Sequence, residues 1–279
     1  MAAALAVIGA IYVAAFVLLF LGFVSAAKKG DVGAAFGFVF FAVCIPAAFF
    51  VHLREGGRLA LRAARARVLD RDDMPEVYSV IERVAAQADM PAPSAAVIAS
   101  SSPNAFAVGT SPDNEVIAFT TALLDALTPE ELEAVIGHEV SHLVNRDGMV
   151  MTFVSGPAMV GSFFWHHDDW RGKVVFAFYA PVHVLGLLLM WTISRYREYV
   201  ADRGSALLTG APEQLMSALE KIADREPQGD LRGGAAISAL CIVSARPRRR
   251  LELFMDHPPL DKRLNRLDEI ARELGRPAR

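Results

Sequence analysis

The sequence has little cysteine and no excess of charge of either sign. It holds two cysteines, Cys44 and Cys241, and no C-x-x-C pair. It therefore offers no disulfide framework, and any bound metal must be held by histidines and carboxylates. The net charge of −3 argues neither for nor against an anionic partner. Internal repeats and low-complexity tails are also absent from the sequence.

Apolar residues, by contrast, are abundant, at 53% of the chain. Ala2–Val24 and Val32–Val51 carry no charge, and each is long enough to cross about 30 Å of hydrocarbon as a helix. A cleaved signal peptide is the alternative for the first run, but that run lacks a charged start and exceeds the usual length. We expect a membrane hairpin.

Basic residues follow the second apolar run closely, namely Arg54, Arg58, Arg62, Arg65 and Arg67. Such a cluster beside a spanning helix indicates the cytoplasmic side. A nucleic-acid patch is the alternative, and we expect no nucleic-acid partner.

Two further apolar runs, Met149–Trp165 and Val174–Ile193, flank the polar turn His166–Lys173. The first is short and contains Gly156-Pro157. A buried helix pair in a soluble protein is the competing interpretation. The distribution of basic residues favours about four transmembrane helices, with both termini in the cytoplasm.

The polar stretches predict a mainly α fold with a small β-sheet. Helices are expected over 74–88, 212–224 and 258–274, and strands over 95–99, 106–109 and 115–120, with a hairpin turn at Ser111–Asn114. A loop over 226–234, a short apolar stretch over 237–243 and a solvated arginine run over 246–250 complete the pattern.

Thr128–Asp147 predicts the helix around which the chain is organised. Thr128 and Glu131 form a capping box around Pro129, and an apolar face follows at helical spacing. His138 and His142, four residues apart, are neighbours on one face and can bind one ion.

Glu139 completes the H-E-x-x-H pattern of zinc peptidases. A carboxylate beside the first histidine reaches a water at the metal without ligating the metal itself. The alternative is two ordinary histidines on a surface helix.

A catalytic zinc site needs a third ligand, and Glu198 is the candidate. Asp202 lies on the same helical face and would accept a hydrogen bond from a ligand histidine, fixing its tautomer. The alternative is a surface pair with nearby arginines.

These motifs together resemble the HtpX-type membrane zinc metalloproteases, gluzincins related to the CAAX prenyl proteases. The resemblance covers nearly the whole length. It rests on the order of the two leading spans, the two later apolar runs and seven further features: Asn104–Ala107, the H-E-x-x-H helix, Asn145-Arg146-Asp147, the Glu198…Asp202 helix, Leu253-Phe254, His257-Pro258-Pro259 and Arg263.

The resemblance implies an integral membrane, zincin-like endopeptidase of the bacterial inner membrane that degrades misfolded membrane proteins and serves in the stress response. One Zn²⁺ would be held by His138, His142 and Glu198, with Glu139 as general base. By analogy, His257 would donate to the oxyanion and Arg263 would hold its segment. Asn104 and the following strand would pair with extended membrane-protein or unfolded substrates.

The resemblance also divides the chain. Residues 1–52 and 149–194 would form transmembrane hairpins in the lipid bilayer. Residues 53–148 and 195–279 would form the two parts of a cytoplasmic catalytic domain, the second carrying the third ligand.

Other functions remain open. The chain could be a CAAX-type prenyl protease, an idle zinc-binding scaffold or a protease for one dedicated partner, and its oligomeric state is open. His183, inside an apolar run, is expected to be a neutral hydrogen-bonded residue, and His166–Asp169 a hydrophilic cap.

Overall fold

The computed structural model describes residues 2–155, 170–225 and 257–276. The described elements, in chain order, are α1 (Ala2–Lys28), α2 (Val32–Ala63), β1 (Arg67–Val68), α3 (Pro75–Gln87), β2 (Ser94–Ile98), β3 (Ala105–Val108), a 3₁₀ turn (Pro112–Asn114), β4 (Val116–Thr120), α4 (Thr121–Ala126), α5 (Pro129–Val144), a helical stretch over 147–155, α6 (Trp170–Thr209), α7 (Pro212–Asp224) and α8 (Leu260–Glu273).

The chain forms two compact units. Unit 1 comprises Met1–Glu55 and Met151–Ile193, and unit 2 comprises Gly56–Val150 and Ser194–Arg279. The assignment of these stretches to membrane and cytoplasm stays a prediction.

Unit 1 is helical where it is described. The Tyr12 hydroxyl donates to the Phe153 carbonyl at 2.9 Å, and the two rings lie 4.9 Å apart between centroids. Many large apolar side chains on α1 and α2 are exposed. Within the residues that the structure describes, no helix combines the length and apolarity that crossing a membrane requires.

Unit 2 contains a mixed sheet in the order β1-β2-β4-β3. β2 runs parallel to β4, whereas β1 and β3 are antiparallel to their neighbours. β3 therefore lies at one edge of the described sheet. The turn between β3 and β4 is closed by Asn114, whose side-chain oxygen accepts from the Thr110 and Ser111 amides, both at 2.9 Å.

Alternate strand residues point to opposite sides of the sheet, and on β2, β3 and β4 residues of both faces are buried. Ala95, Ile117 and Phe119 belong to the main core together with side chains of α3, α5, α7 and α8. Phe106 and Ala118 belong to a second cluster, which packs against the end of α2. The sheet thus holds α5 and the edge strand in fixed positions.

The mainly α architecture with a small sheet is confirmed, as are the helix at 74–88 and the β3–β4 hairpin. The short strand β1 was missed, because two residues are too few to show an alternating pattern. α6 begins at Trp170, inside the predicted turn, and continues through Glu198 to Thr209 without a break.

Several sequence predictions fall outside the described residues. These are the loop over 226–234, the apolar stretch over 237–243, the arginine run over 246–250, Leu253-Phe254, the cap at His166–Asp169, and the third apolar run beyond residue 155. The number of membrane spans stays a prediction.

Candidate metal centre

The start of α5 shows the predicted capping box. The Thr128 amide donates to Glu131 Oε2 at 2.9 Å, and the Glu131 amide donates to Thr128 Oγ1 at 3.3 Å. The Glu131 carboxylate also accepts from Ser217 Oγ and Lys221 Nζ of α7, both at 2.7 Å. Burial by itself raises the pKa of Glu131, but these donors bring it below its ordinary value. The helix start is therefore tied to its neighbour.

His138 and His142 point their Nε2 atoms at one location from adjacent turns of α5. These two atoms lie 3.1 Å apart, and the rings are nearly perpendicular. His138 is fully buried. The spacing of four residues on a helix is sufficient to produce this convergence.

Glu198 brings a carboxylate to the same location from α6. Its oxygens lie 3.6 Å from His138 Nε2 and 3.7 Å from His142 Nε2. Ligands about 2.0–2.2 Å from a tetrahedral zinc ion are about 3.4 Å apart. The three observed separations lie close to this value, and the three residues form a possible metal site. The donor set of two imidazoles and one carboxylate fits zinc.

Close packing of α5 on α6 makes this convergence possible. Ser205 Oγ of α6 donates to the Ala134 carbonyl of α5 at 2.6 Å. A Cβ atom at Gly137 would lie 3.1 Å from Ser205 Oγ, and one at Gly204 would collide with Ser141. Glycine at these two positions therefore lets the backbones approach.

Asp202 lies one turn beyond Glu198 and faces His138. Its Oδ1 is 3.1 Å from His138 Nδ1. Arg263 of α8 donates to both carboxylate oxygens, from Nε at 2.9 Å and from Nη2 at 2.6 Å. Arg263 Nη1 also lies 3.3 Å from Glu198. The buried guanidinium therefore contacts both a possible ligand, Glu198, and the carboxylate that lies against His138.

The electrostatics of this cluster favour a cation. Burial by itself raises the pKa of Glu198, but its interactions with His257, His138 and Arg263 hold that pKa well below its usual range. Burial lowers the pKa of His138, yet Asp202 and Glu198 raise it to about 9. The Glu198 and Asp202 carboxylates thus attract positive charge. A metal ion that binds here must displace the second ring proton of His138.

Glu139 lies next to this cluster and against the edge strand. Its carboxyl is buried, and burial is the main cause that raises its pKa, although His142 and His138 act in the opposite direction. The Ala107 amide of β3 hydrogen-bonds to it. A carboxylate with a raised pKa is a stronger base, as proton abstraction from water requires.

The remaining predicted site residues are also buried in unit 2. His257 Nδ1 lies 3.5 Å from Glu198 Oε1. Asn104 precedes β3, and its backbone N–H donates to Thr120 Oγ1 at 2.8 Å. The substrate roles of Asn104 and His257 stay predictions. Arg263 is placed beside Asp202 and Glu198, where it braces carboxylates.

Sequence reasoning missed a role for Asp147. Its Oδ2 lies 2.6 Å from His142 Nδ1 and 3.1 Å from Arg197 Nε. The motif Asn145-Arg146-Asp147 carries part of the resemblance, but a residue five positions after a histidine does not share its helical face. The only sign of this contact in the sequence is that Asp147 is an acidic residue just after the end of the helix.

Comparison with known proteins agrees with this site. The sequence profile described as peptidase family M48 matches residues 72–271. A protease HtpX homolog of Moorella thermoacetica is 41% identical over 236 residues, which cover 78% of this chain and 79% of the relative. Protease HtpX homolog 1 of Streptomyces coelicolor is 38% identical over 277 residues, or 92% and 90% of the two chains.

Among solved structures, the crystal structure of S. mikatae Ste24p is similar, with a TM-score of 0.52. The identity is 19%, and the match covers 92% of this chain and 63% of that one, so this likeness shows the fold alone. The family match, the HtpX relatives and the site agree. The chain belongs to peptidase family M48 and is a metalloprotease.

Proposed function

We propose that this metalloprotease is a zinc-dependent, membrane-embedded endopeptidase that cleaves misfolded or damaged membrane proteins. The observation that carries the proposal is the placement of the Glu139 carboxylate between the His138, His142 and Glu198 cluster and the edge strand β3. A purely structural zinc site has no need of this carboxylate.

Three residues would hold the ion: His138, His142 and Glu198. When bound, zinc supplies a Lewis acid, which polarises a peptide carbonyl and makes water acidic enough to lose a proton near neutral pH. Glu139 accepts that proton as general base and then delivers it to the leaving amine. His257, buried beside Glu198, is the proposed donor to the developing oxyanion.

The edge strand supports an extended substrate. The Thr120 amide donates to the Asn104 carbonyl at 2.9 Å, and hydrogen-bonded pairs alternate along an antiparallel ladder. The backbone groups of Ala105 and Ala107 therefore point away from β4. The Ala107 amide hydrogen-bonds to Glu139, and an added strand would pair with the remaining groups. Main-chain pairing constrains substrate sequence only loosely, as quality control under stress requires.

Placement in the bacterial inner membrane is supported by the surface of unit 1. Val13, Phe36 and Phe50 are 64%, 73% and 58% exposed. Large apolar side chains exposed in such number favour a lipid environment. The Arg54 guanidinium lies 5.4 Å from the centroid of the Phe50 ring, an arrangement that suits a membrane–water boundary. We propose four spans, with the catalytic unit and both termini in the cytoplasm.

A CAAX-type prenyl protease is the second candidate, favoured by the fold likeness to Ste24p. The match covers 92% of this chain and 63% of that protein. Cleavage of a prenylated carboxy-terminal peptide in preference to an unfolded membrane protein would support this alternative.

The test compares the full chain in detergent with Glu139→Gln, with cleavage of a model membrane protein and bound zinc both measured. We expect the variant to keep about one zinc per chain and lose activity by several orders of magnitude. Glu130→Gln, on the exposed first turn of α5, is the matched control and should cleave normally. Zinc binding without cleavage by wild type would favour a scaffold or a dedicated-partner protease. The absence of zinc from wild type would refute the site.

A further inference from the structure

The second histidine of the cluster has its own charged neighbours. His142 Nδ1 lies 2.6 Å from Asp147 Oδ2, and the same oxygen lies 3.1 Å from Arg197 Nε. All three side chains are mostly buried, at 13%, 7% and 14% exposure. The Asp147 carboxylate is therefore hydrogen-bonded to His142 and forms an ion pair with Arg197, and partial burial strengthens the attraction between these charges.

The backbone turn after α5 is what brings Asp147 to His142. Five residues of continuous helix would place Asp147 about 140° around the axis from His142. Arg146 instead has a φ of 52°, and its amide donates to the Leu143 carbonyl at 2.9 Å. This left-handed residue directly follows the end of α5. A non-glycine residue in that conformation costs about 1 kcal/mol.

Arg197 connects this carboxylate to the other helix of the site. It directly precedes Glu198 on α6, while Asp147 follows α5. The pair therefore joins the helix that carries two possible ligands to the helix that carries the third. An Nδ1–H donated to Asp147 leaves the Nε2 lone pair of His142 directed at Glu198 and His138.

We propose that Asp147, held by Arg197, is a positioning residue that fixes the tautomer and ring orientation of His142 and thereby sets the affinity of the site for zinc. Arg197 acts through Asp147 and not on the metal directly. This inference rests on the proposed zinc site.

The test measures zinc dissociation constants of the full chain in detergent for wild type, Asp147→Asn, Arg197→Gln and the double variant. The isosteric amide presents either a weaker acceptor or an NH₂ group that favours the wrong tautomer. We expect Asp147→Asn to bind zinc about 10- to 100-fold more weakly. Arg197→Gln should have a smaller effect, and almost none in the Asp147→Asn background, because coupled residues are not additive.

Two further readouts separate positioning from general stability. Cobalt-substituted Asp147→Asn should show a changed visible absorption spectrum, while the melting temperature of its metal-free form stays near that of wild type. The matched control is Arg203→Gln, which removes another arginine of α6 from an exposed pair with Glu273 and should bind zinc normally.

An Asp147→Asn protein with wild-type zinc affinity and cobalt spectrum would overturn the inference while leaving the proposed function intact. If that variant does not fold, Arg197→Gln decides, and wild-type affinity there would also overturn it. A wild-type protein that binds no zinc would refute the proposed function and this inference together.

Discussion

Two His–Asp–Arg groups flank the candidate metal centre, and they differ in depth and in origin. His138 faces Asp202, which pairs with Arg263, and the side chains of that Asp and Arg are 0% and 2% exposed. His142 faces Asp147, which lies beside Arg197, and these are 7% and 14% exposed. We call them the inner group and the outer group.

The inner group is assembled from three helices distant in sequence, because His138, Asp202 and Arg263 come from α5, α6 and α8. The outer group needs only α5, the turn after it, and α6. A charge in the inner group cannot reach water if its partner is lost, whereas the outer group is closer to solvent. The inner group should therefore control both stability and metal binding, and the outer group mainly metal binding.

The largest effect is expected for Arg263→Met. It would leave two ionised carboxylates buried without their guanidinium, at a cost of about 3–5 kcal/mol in the free energy of unfolding. Denaturant unfolding of the metal-free full chain measures this change. The control is Arg272→Met on the same helix, whose partner Asp268 forms a more exposed pair. A loss below about 1 kcal/mol for Arg263→Met would remove the distinction between the groups.

The second-largest effect is expected for Asp202→Asn. This variant tests whether the more deeply buried inner group affects both zinc binding and stability. Loss of the His138 orienting carboxylate should weaken zinc binding by about 100-fold, the upper end of the range for such partners. Unlike Asp147→Asn, it should also lower the melting temperature of the metal-free form, because Arg263 loses its closest partner. Equal melting temperatures for the two variants would show that depth does not matter here.

Glu131→Gln should change stability alone, since Glu131 lies at the opposite end of α5 from the ligands. Loss of its charged bonds to Thr128, Ser217 and Lys221 should cost about 1–3 kcal/mol at neutral pH. The folded pKa of Glu131 is below its ordinary value of 4.5. Its contribution is therefore present above about pH 4.5 and is lost as the pH falls through the lower folded pKa.

Measurements of unfolding against pH, for wild type and Glu131→Gln, check this prediction. The two curves should approach each other in acid and separate toward neutral pH. Zinc affinity should be the same in both proteins, and a clear change in it would contradict the local character of this contact.

The smallest effect is expected for Arg203→Gln, which removes the Arg203–Glu273 pair at 2.9 Å on the surface. Both side chains are more than half exposed, so the pair should contribute at most about 1 kcal/mol. Denaturant unfolding should detect almost no change. A loss comparable to that of Arg263→Met would show that exposure does not rank the charged contacts of this unit.

Local patterns explain most of what could be predicted. The capping box, the helix from Pro129 and the spacing of His138 and His142 depend on neighbours within four residues, and the structure reproduces them. The β3–β4 hairpin followed from its turn residues. The uninterrupted length of α6 was not foreseen, because no local signal distinguishes an apolar helix that stops from one that continues.

The sequence by itself determined the metalloprotease chemistry: H-E-x-x-H requires only a helix, since a separation of four residues suffices to align two imidazoles and a flanking carboxylate. Tertiary structure alone decided how these residues are supported. The bond from Arg263 to Asp202 spans 61 residues, and Asp147 reaches His142 through a left-handed turn that no helical period describes. Contacts of this kind depend on how helices pack, and periodicity within one helix carries no record of its neighbours.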